Sequence, residues 1–231
     1  RGKKTNNNLW GNKNSILTGD YLLGRCFEIM VEDGSLEVLK LLSSVSSEIA
    51  QGEILQLQHE KEVETLEKTY LEIIGSKTSS LFAASMRVGG CINDKSKNEK
   101  EALTSFGFNL GICFQITDDI LDYYSDKIAF GKVIGNDFYE GKVTLPIIML
   151  YQKSSESERL ALKEMFVRKE RTKEELAHTL NLMTKYQVIA SCKKRAEHFS
   201  SVSADSLGIF PESKEKTRLQ ELAFYIVNRI N

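Results

Sequence analysis

Residues 106–122 read FGFNLGICFQITDDILD, and the fold turns on that stretch. Its apolar side chains fall on every side of a helical wheel. That pattern belongs to a helix covered all round, not to one lying on a surface. It extends over 99–124, so a long central helix is expected there. Other helices must cover it, because strand-like alternation is absent on both sides. Upstream, Ile16, Leu17, Tyr21, Leu22, Cys26, Phe27 and Met30 recur at helical spacing from Ser15 to a stop at Asp33-Gly34. Ser35 opens a second helix to about residue 57, and a third is expected over 69–91. Downstream, helices are expected over 143–153, 156–168, 172–183, 185–205 and 212–230. Residues 1–13 are basic, asparagine-rich and read as turns, and 125–142 read as a glycine-marked flexible loop. The expected architecture is a single all-α domain over 1–231, a bundle of long helices around an apolar centre.

Composition agrees with this. The 231 residues are 41% hydrophobic and 27% charged, the balance of a soluble globular chain. Only 2 prolines occur, Pro146 and Pro211, so little interrupts long helices. A formal net charge of -1 offers no general attraction for nucleic acid or an anionic membrane. No apolar run approaches the roughly 20 residues that span a bilayer. The 4 cysteines (Cys26, Cys91, Cys113 and Cys192) lack metal-ligand spacing and the 3 histidines are scattered, which disfavours zinc. The cysteines are expected to be core residues of a protein in a reducing, cytoplasmic compartment.

The end of the central helix is chemically distinctive. Asp118, Asp119 and Asp122 stand at i, i+1 and i+4. Asp118 and Asp122 share a face, and Asp119 lies about 100° round. Clustered carboxylates flanked by Ile116, Ile120 and Leu121 repel one another and lose hydration, so a cation is expected beside them. Mg2+ suits the set, since it takes one or two carboxylates and completes its shell with water and phosphate oxygens. A solvated acidic helix end is the competing reading of these three residues alone. Lys132 and Lys142 flank Asp137 in the loop beyond, and Lys77-Thr78 interrupts an otherwise apolar helix. Metal-holding carboxylates with lysines reaching the same cavity make a site for a diphosphate leaving group.

The same segments carry a resemblance. FQITDDILD (114–122) is similar to the second aspartate-rich motif of the trans-isoprenyl diphosphate synthases, the polyprenyl synthetase family. GKVIGNDFYEGKVTLP (131–146) resembles the family's lysine-bearing loop, and TYLEIIGSKTSSLF (69–82) its lysine-threonine motif. GDYLLGRCFEIM (19–30) resembles its glycine-aspartate helix, and EIAQGEILQLQ (48–58) a stretch typical of its long-chain enzymes; the chain as a whole looks like the long-chain bacterial, octaprenyl-forming type. Arg1-Gly2-Lys3 matches the end of the family's Arg-Arg-Gly. The family's first aspartate-rich motif is therefore expected to be absent from this chain, and the chain as given is expected to be nearly inactive.

The resemblance implies an isoprenoid-synthase-type bundle around an apolar cavity. It implies a prenyltransferase that joins isopentenyl diphosphate to an allylic diphosphate by ionisation, condensation and elimination. The implied product is a long trans-polyprenyl diphosphate, octaprenyl-like, for quinone side chains. Mg2+ is the implied cofactor, held by Asp118, Asp119 and Asp122. Lys77, Lys132 and Lys142 would bind the allylic diphosphate and Arg1 isopentenyl diphosphate. Thr78 and Gln115 would direct oxygen dipoles at the developing cation. Asp137 would orient Lys132 or Lys142, or cap the following helix. A homodimer is implied, with no nucleic-acid partner. Phe82, Met86, Phe108, Ile112 and residues near Leu17 and Tyr21 are candidates for the wall of a product tunnel. Two alternatives stand beside this reading. A class I terpene cyclase normally carries Asn or Ser among the ligands of its second metal motif, where this chain has only Asp. A non-catalytic helical partner subunit of a heteromeric synthase usually loses the second motif, which is intact here.

Overall fold

The computed structural model describes residues 4–124 and 134–230. No strand occurs among them, and the class is all-α as expected. The chain runs α1 (Asn6–Asp33), α2 (Leu36–Gln58), α3 (Glu67–Ile74), a π-helical turn (Gly75–Ser79), α4 (Ser80–Ile92) and α5 (Lys97–Tyr123). It continues through α6 (Asn136–Glu140), α7 (Leu145–Lys153), α8 (Glu156–Val167), α9 (Lys173–Lys185), α10 (Val188–Ser206), a 3-10 turn (Leu207–Ile209) and α11 (Lys214–Asn228). None of these helices is long and apolar enough to cross a membrane.

Local chemistry sets the helix ends. Ser35 Oγ accepts from Val38 N at 3.3 Å at the start of α2. Ser96 with Glu99, Ser155 with Glu158 and Thr172 with Glu175 form reciprocal capping boxes ahead of α5, α8 and α9. Gly34, at φ 78°, closes α1 by donating its N–H to the Val31 carbonyl.

Helix α5 is the axis of the bundle. Phe106, Ile112, Cys113, Ile116 and Ile120 are no more than 1% exposed. Helix α4 packs on one part of its surface and α10 on another. The approach of α4 and of the turn before it is close: a β-carbon at Gly111 would lie 2.6 Å from Ser79 Cα in the turn, and one at Gly107 2.8 Å from Ala83 Cα in α4. The contact at Gly89-Gly90 is looser. A β-carbon at Gly90 would meet the side chains of Leu103 and Lys100 at 3.1 Å and the Lys100 backbone no nearer than 3.7 Å, and nothing lies within 4 Å at Gly89.

The N-terminal region departs from expectation. Helix begins at Asn6, and Gly11 (φ 80°, ψ 162°) kinks it. Asparagine lowers helix propensity without forbidding helix, so the turn-prone reading of 1–13 gives way over 6–13. Helix α1 also buries none of its residues. Cys26 is therefore exposed, whereas Cys91, Cys113 and Cys192 are buried as expected.

Candidate active site

Three segments converge where α5 ends. The first is the π-helical turn, which falls where Lys77-Thr78 interrupts the apolar pattern. A π turn adds a residue to the helical repeat and re-aims the side chains it carries. It lies hard against α2: a β-carbon at Gly52 would sit 2.7 Å from Lys77 N, so only glycine permits the contact. Lys77 Nζ then lies 2.7 Å from Gln56 Oε1 and 3.0 Å from Glu53 Oε1, both on α2.

The second segment is the last two turns of α5. Thr78 Oγ1 donates to Gln115 Oε1 at 2.9 Å, and Gln115 Nε2 donates to Asp119 Oδ1 at 2.8 Å. Tyr70 Oη, from α3, donates to Asp119 Oδ2 at 2.6 Å. One hydrogen-bonded line thus runs from Thr78 through Gln115 and Asp119 to Tyr70. It orients the Gln115 amide, since each end of that group has a partner of the right kind.

The third segment is α6 and the turn after it. Gly135 N donates to the Asp122 carbonyl at 2.8 Å, and Asp137 N to Asp122 Oδ2 at 2.9 Å. Just beyond α6, Lys142 Nζ pairs with Glu140 Oε2 at 2.6 Å and lies 3.6 Å from Asp137 Oδ1.

The expected site residues divide accordingly. Lys77, Gln115, Asp118, Asp119, Asp137 and Lys142 line one cavity, with Gln56 and Tyr70. Thr78 joins it through Gln115. Asp122 is buried and turned to the Asp137 backbone. Arg1 and Lys132 lie outside the described residues. Of the tunnel candidates, Phe82 packs beside Phe114 with ring centroids 5.5 Å apart. Met86 packs against the core and Ile112 lies within it. Phe108 borders a second cavity with Leu41, Val45 and Ala83. Leu17 and Tyr21 are exposed.

Charge in the cavity is unbalanced. Burial pushes the Asp119 carboxyl up to about 7; the bonds from Tyr70 and Gln115 oppose this, and Asp137 and Asp118 add to it. Asp137 is raised as well, by burial first and Asp122 next. Burial works to lower Lys142, but Glu140 and Asp137 outweigh it and leave it raised. Among the described residues, no group of three or more carboxylate, histidine or cysteine side chains is gathered to hold a metal ion. Of Asp118, Asp119 and Asp122, the first two open onto the cavity, and Asp122 is buried with its carboxylate accepting from Asp137 N. Two carboxylates are nonetheless the usual protein share of a Mg2+ shell completed by water and phosphate. The surplus negative charge around Asp119 and Asp137 suits that ion.

Tyr70, Glu53 and Gln56 have weak signals in the sequence. Tyr70 precedes Lys77 by seven residues, two helical turns, and that spacing could have paired them. Glu53 and Gln56 share a face of α2, but what the face meets depends on packing alone.

The sequence model of a family described as polyprenyl synthetase matches residues 1–183. The chain is 31% identical over 229 residues to the octaprenyl diphosphate synthase of Haemophilus influenzae, covering 99% of this chain and 69% of that protein. It is 35% identical over 230 residues to the geranyl-diphosphate-specific all-trans-nonaprenyl-diphosphate synthase of Rhodobacter capsulatus, covering 100% of this chain and 70% of that protein. A crystal structure of polyprenyl synthase from Caulobacter crescentus, complexed with calcium and isoprenyl diphosphate, matches with a TM-score of 0.94 at 34% identity. That match covers 100% of this chain and 70% of the other. Since the similarity spans the α5 aspartates and the Lys142 turn alike, the chain belongs to the polyprenyl synthetase family, the prenyltransferases that make polyprenyl diphosphates.

Proposed function

We propose that this chain condenses isopentenyl diphosphate with an allylic diphosphate, with Mg2+, to give a long trans-polyprenyl diphosphate of the octaprenyl class for quinone side chains. The observation that carries the reading is the meeting of Asp118, Asp119 and Asp137 with Lys77 and Lys142 around one cavity. The octaprenyl and nonaprenyl products named for two relatives support the product class. The calcium and isoprenyl diphosphate of the Caulobacter structure support a divalent cation and a prenyl diphosphate here.

Ionisation of an allylic diphosphate leaves concentrated negative charge on the departing group, so electrostatic stabilisation decides the rate. Lys77 and Lys142 stand ready at the cavity, held by Gln56 and Glu53 and by Glu140 and Asp137. Each exchanges those partners for diphosphate oxygens. Asp118, Asp119 and Asp122 are the residues assigned to Mg2+, which supplies Lewis-acid neutralisation of the diphosphate when bound. Lys132 and Arg1 are assigned to the allylic and isopentenyl diphosphates by resemblance. Thr78 donates a hydrogen bond from its hydroxyl to Gln115 and keeps its oxygen lone pairs for the developing allylic cation. The double bond of isopentenyl diphosphate then attacks, and loss of a proton restores neutrality.

We read 1–231 as one all-α domain that acts as a homodimer in the cytoplasm. The exposed apolar side chains of α1, Ile16, Leu17, Tyr21 and Leu22 among them, support a second copy on that face. The octaprenyl and nonaprenyl diphosphate synthases it resembles lend no support to the expectation that the chain is inactive. Radiolabelled isopentenyl diphosphate, an allylic primer and Mg2+ measure its turnover directly. Asp118→Ala should lower that turnover by about a hundredfold or more with the helical circular dichroism unchanged, because it removes a ligand and leaves the core intact. Undiminished turnover in this variant would overturn the reading.

A further inference from the structure

We propose that Arg171 is the positioning residue for Asp137 and Lys142, its buried guanidinium holding the α6 turn in the shape that presents both to the cavity. The proposal rests on the reading of that cavity as a diphosphate site. Arg171 lies between α8 and α9 and is 7% exposed. Its Nε donates to the Phe138 carbonyl at 2.5 Å, and its Nη1 to the Arg168 carbonyl at 2.8 Å. The guanidinium carbon stands 5.2 Å from the Phe166 ring centroid and 6.0 Å from that of Phe138. Those rings meet edge to face at 5.6 Å.

Phe138 is the middle residue of α6 and fully buried. Its carbonyl also accepts from Gly141 N at 3.1 Å, so Arg171 and the end of α6 share one acceptor. Gly141 has φ 80°, and a β-carbon there would overlap Arg171 Nη2. The guanidinium therefore fills the space under the turn. Asp137 immediately precedes Phe138, and Lys142 immediately follows Gly141. Lys142 N donates to the Asp137 carbonyl at 2.9 Å, so the two move as one. Anything that shifts the Phe138 carbonyl displaces a carboxylate and a lysine of the cavity together.

Simple packing does not account for this residue. A buried cation carries a desolvation cost that an apolar side chain of similar shape would avoid. Arg171 Nη2 is also buried with no hydrogen-bond partner among the described residues. Carbonyl capture beneath the turn is what an arginine offers and a methionine does not.

The experiment uses the full chain, with inorganic pyrophosphate and Mg2+ as the probe. Arg171→Met keeps an unbranched apolar stem and removes every side-chain donor. It should weaken pyrophosphate binding, read by calorimetry, by about tenfold or more, the scale seen when residues that orient metal ligands are removed. The KM for the allylic diphosphate should rise in step while that for isopentenyl diphosphate holds. Amide exchange over 137–142 should speed up while α5 stays protected. Arg171→Lys, with the charge and a single donor nitrogen kept, should lose less but measurably. Wild-type affinity and exchange in Arg171→Met overturn the proposal. If that variant does not fold, wild-type values in Arg171→Lys overturn it equally. A wild-type chain that fails to bind pyrophosphate fails the cavity reading itself, a separate result, and removes the ground of the proposal.

Discussion

Helices α1 and α5 are almost equal in length, 28 and 27 residues, and both are rich in apolar side chains. Helix α5 buries twelve of its residues and α1 none. Each forms for the same local reasons, yet α5 lies between α4 and α10 while α1 packs chiefly on α2. Apolar periodicity makes a helix and orients its stripe; the neighbours decide whether the stripe is covered. Charge follows the same division. Asp119 on α5 sits in a dry environment that burial makes costly to ionise, whereas Asp20 on α1 stands exposed to water. The carboxylate cluster of this chain is built on the covered helix.

The contrast can be broken or sharpened by paired substitutions. Ile116→Ala on α5 removes a side chain with no exposed surface and should cost about 2–5 kcal/mol in urea unfolding. Ile16→Ala on α1, where the side chain is 64% exposed, should change stability by no more than about 0.5 kcal/mol. Similar losses at both positions would show that α1 is covered in solution more fully than its exposure implies.

Gly111→Ala on α5 should cost about 1–3 kcal/mol, because its β-carbon would press on the Ser79 backbone. The strain falls on the turn that carries Lys77 and Thr78, so the KM for the allylic diphosphate should rise as well. A stable variant with unchanged kinetics would mean that Ser79 can give way without moving Lys77 and Thr78. Leu22→Asp on α1 addresses the proposed second copy: self-association should weaken by about tenfold or more in sedimentation, with the core as stable as before. If the variant sediments like the wild type, α1 is not the interface. The smallest effect is expected from Gly24→Ala. No atom lies within 4 Å of a β-carbon there, so helix propensity alone should stabilise the chain, by about 0.5–1 kcal/mol. Destabilisation at Gly24 would point to a close partner on α1.

Much of the bundle was legible in advance. Capping residues and apolar spacing located the long helices to within a few residues, because both signals act over a turn or two. The start of α1 was misjudged since Asn6, Asn7 and Asn8 read as turn residues and only Gly11 departs from helix. The site was legible as a set of residue types. Asp118, Asp119, Asp122, Lys77 and Lys142 all lie where three segments converge. A helical wheel put Asp118 and Asp122 on one face, yet Asp118 and Asp119 open onto the cavity and Asp122 meets the backbone of Asp137. The wheel supplies angles about an axis and says nothing of which side is walled off.

By itself the sequence determined the all-α class, the extent of the central helix and the carboxylates and lysines available for phosphate chemistry. Those depend on periodicity, capping and side-chain identity, which are properties of neighbouring residues. Only the tertiary structure decided that Tyr70 holds Asp119 from 49 residues away, that Thr78 orients Gln115 across 37, and that Arg171 supports Phe138 across 33. Such pairs form because packed helices bring distant segments to hydrogen-bond distance. Their geometry is a product of the whole core, to which no single stretch of sequence holds the key.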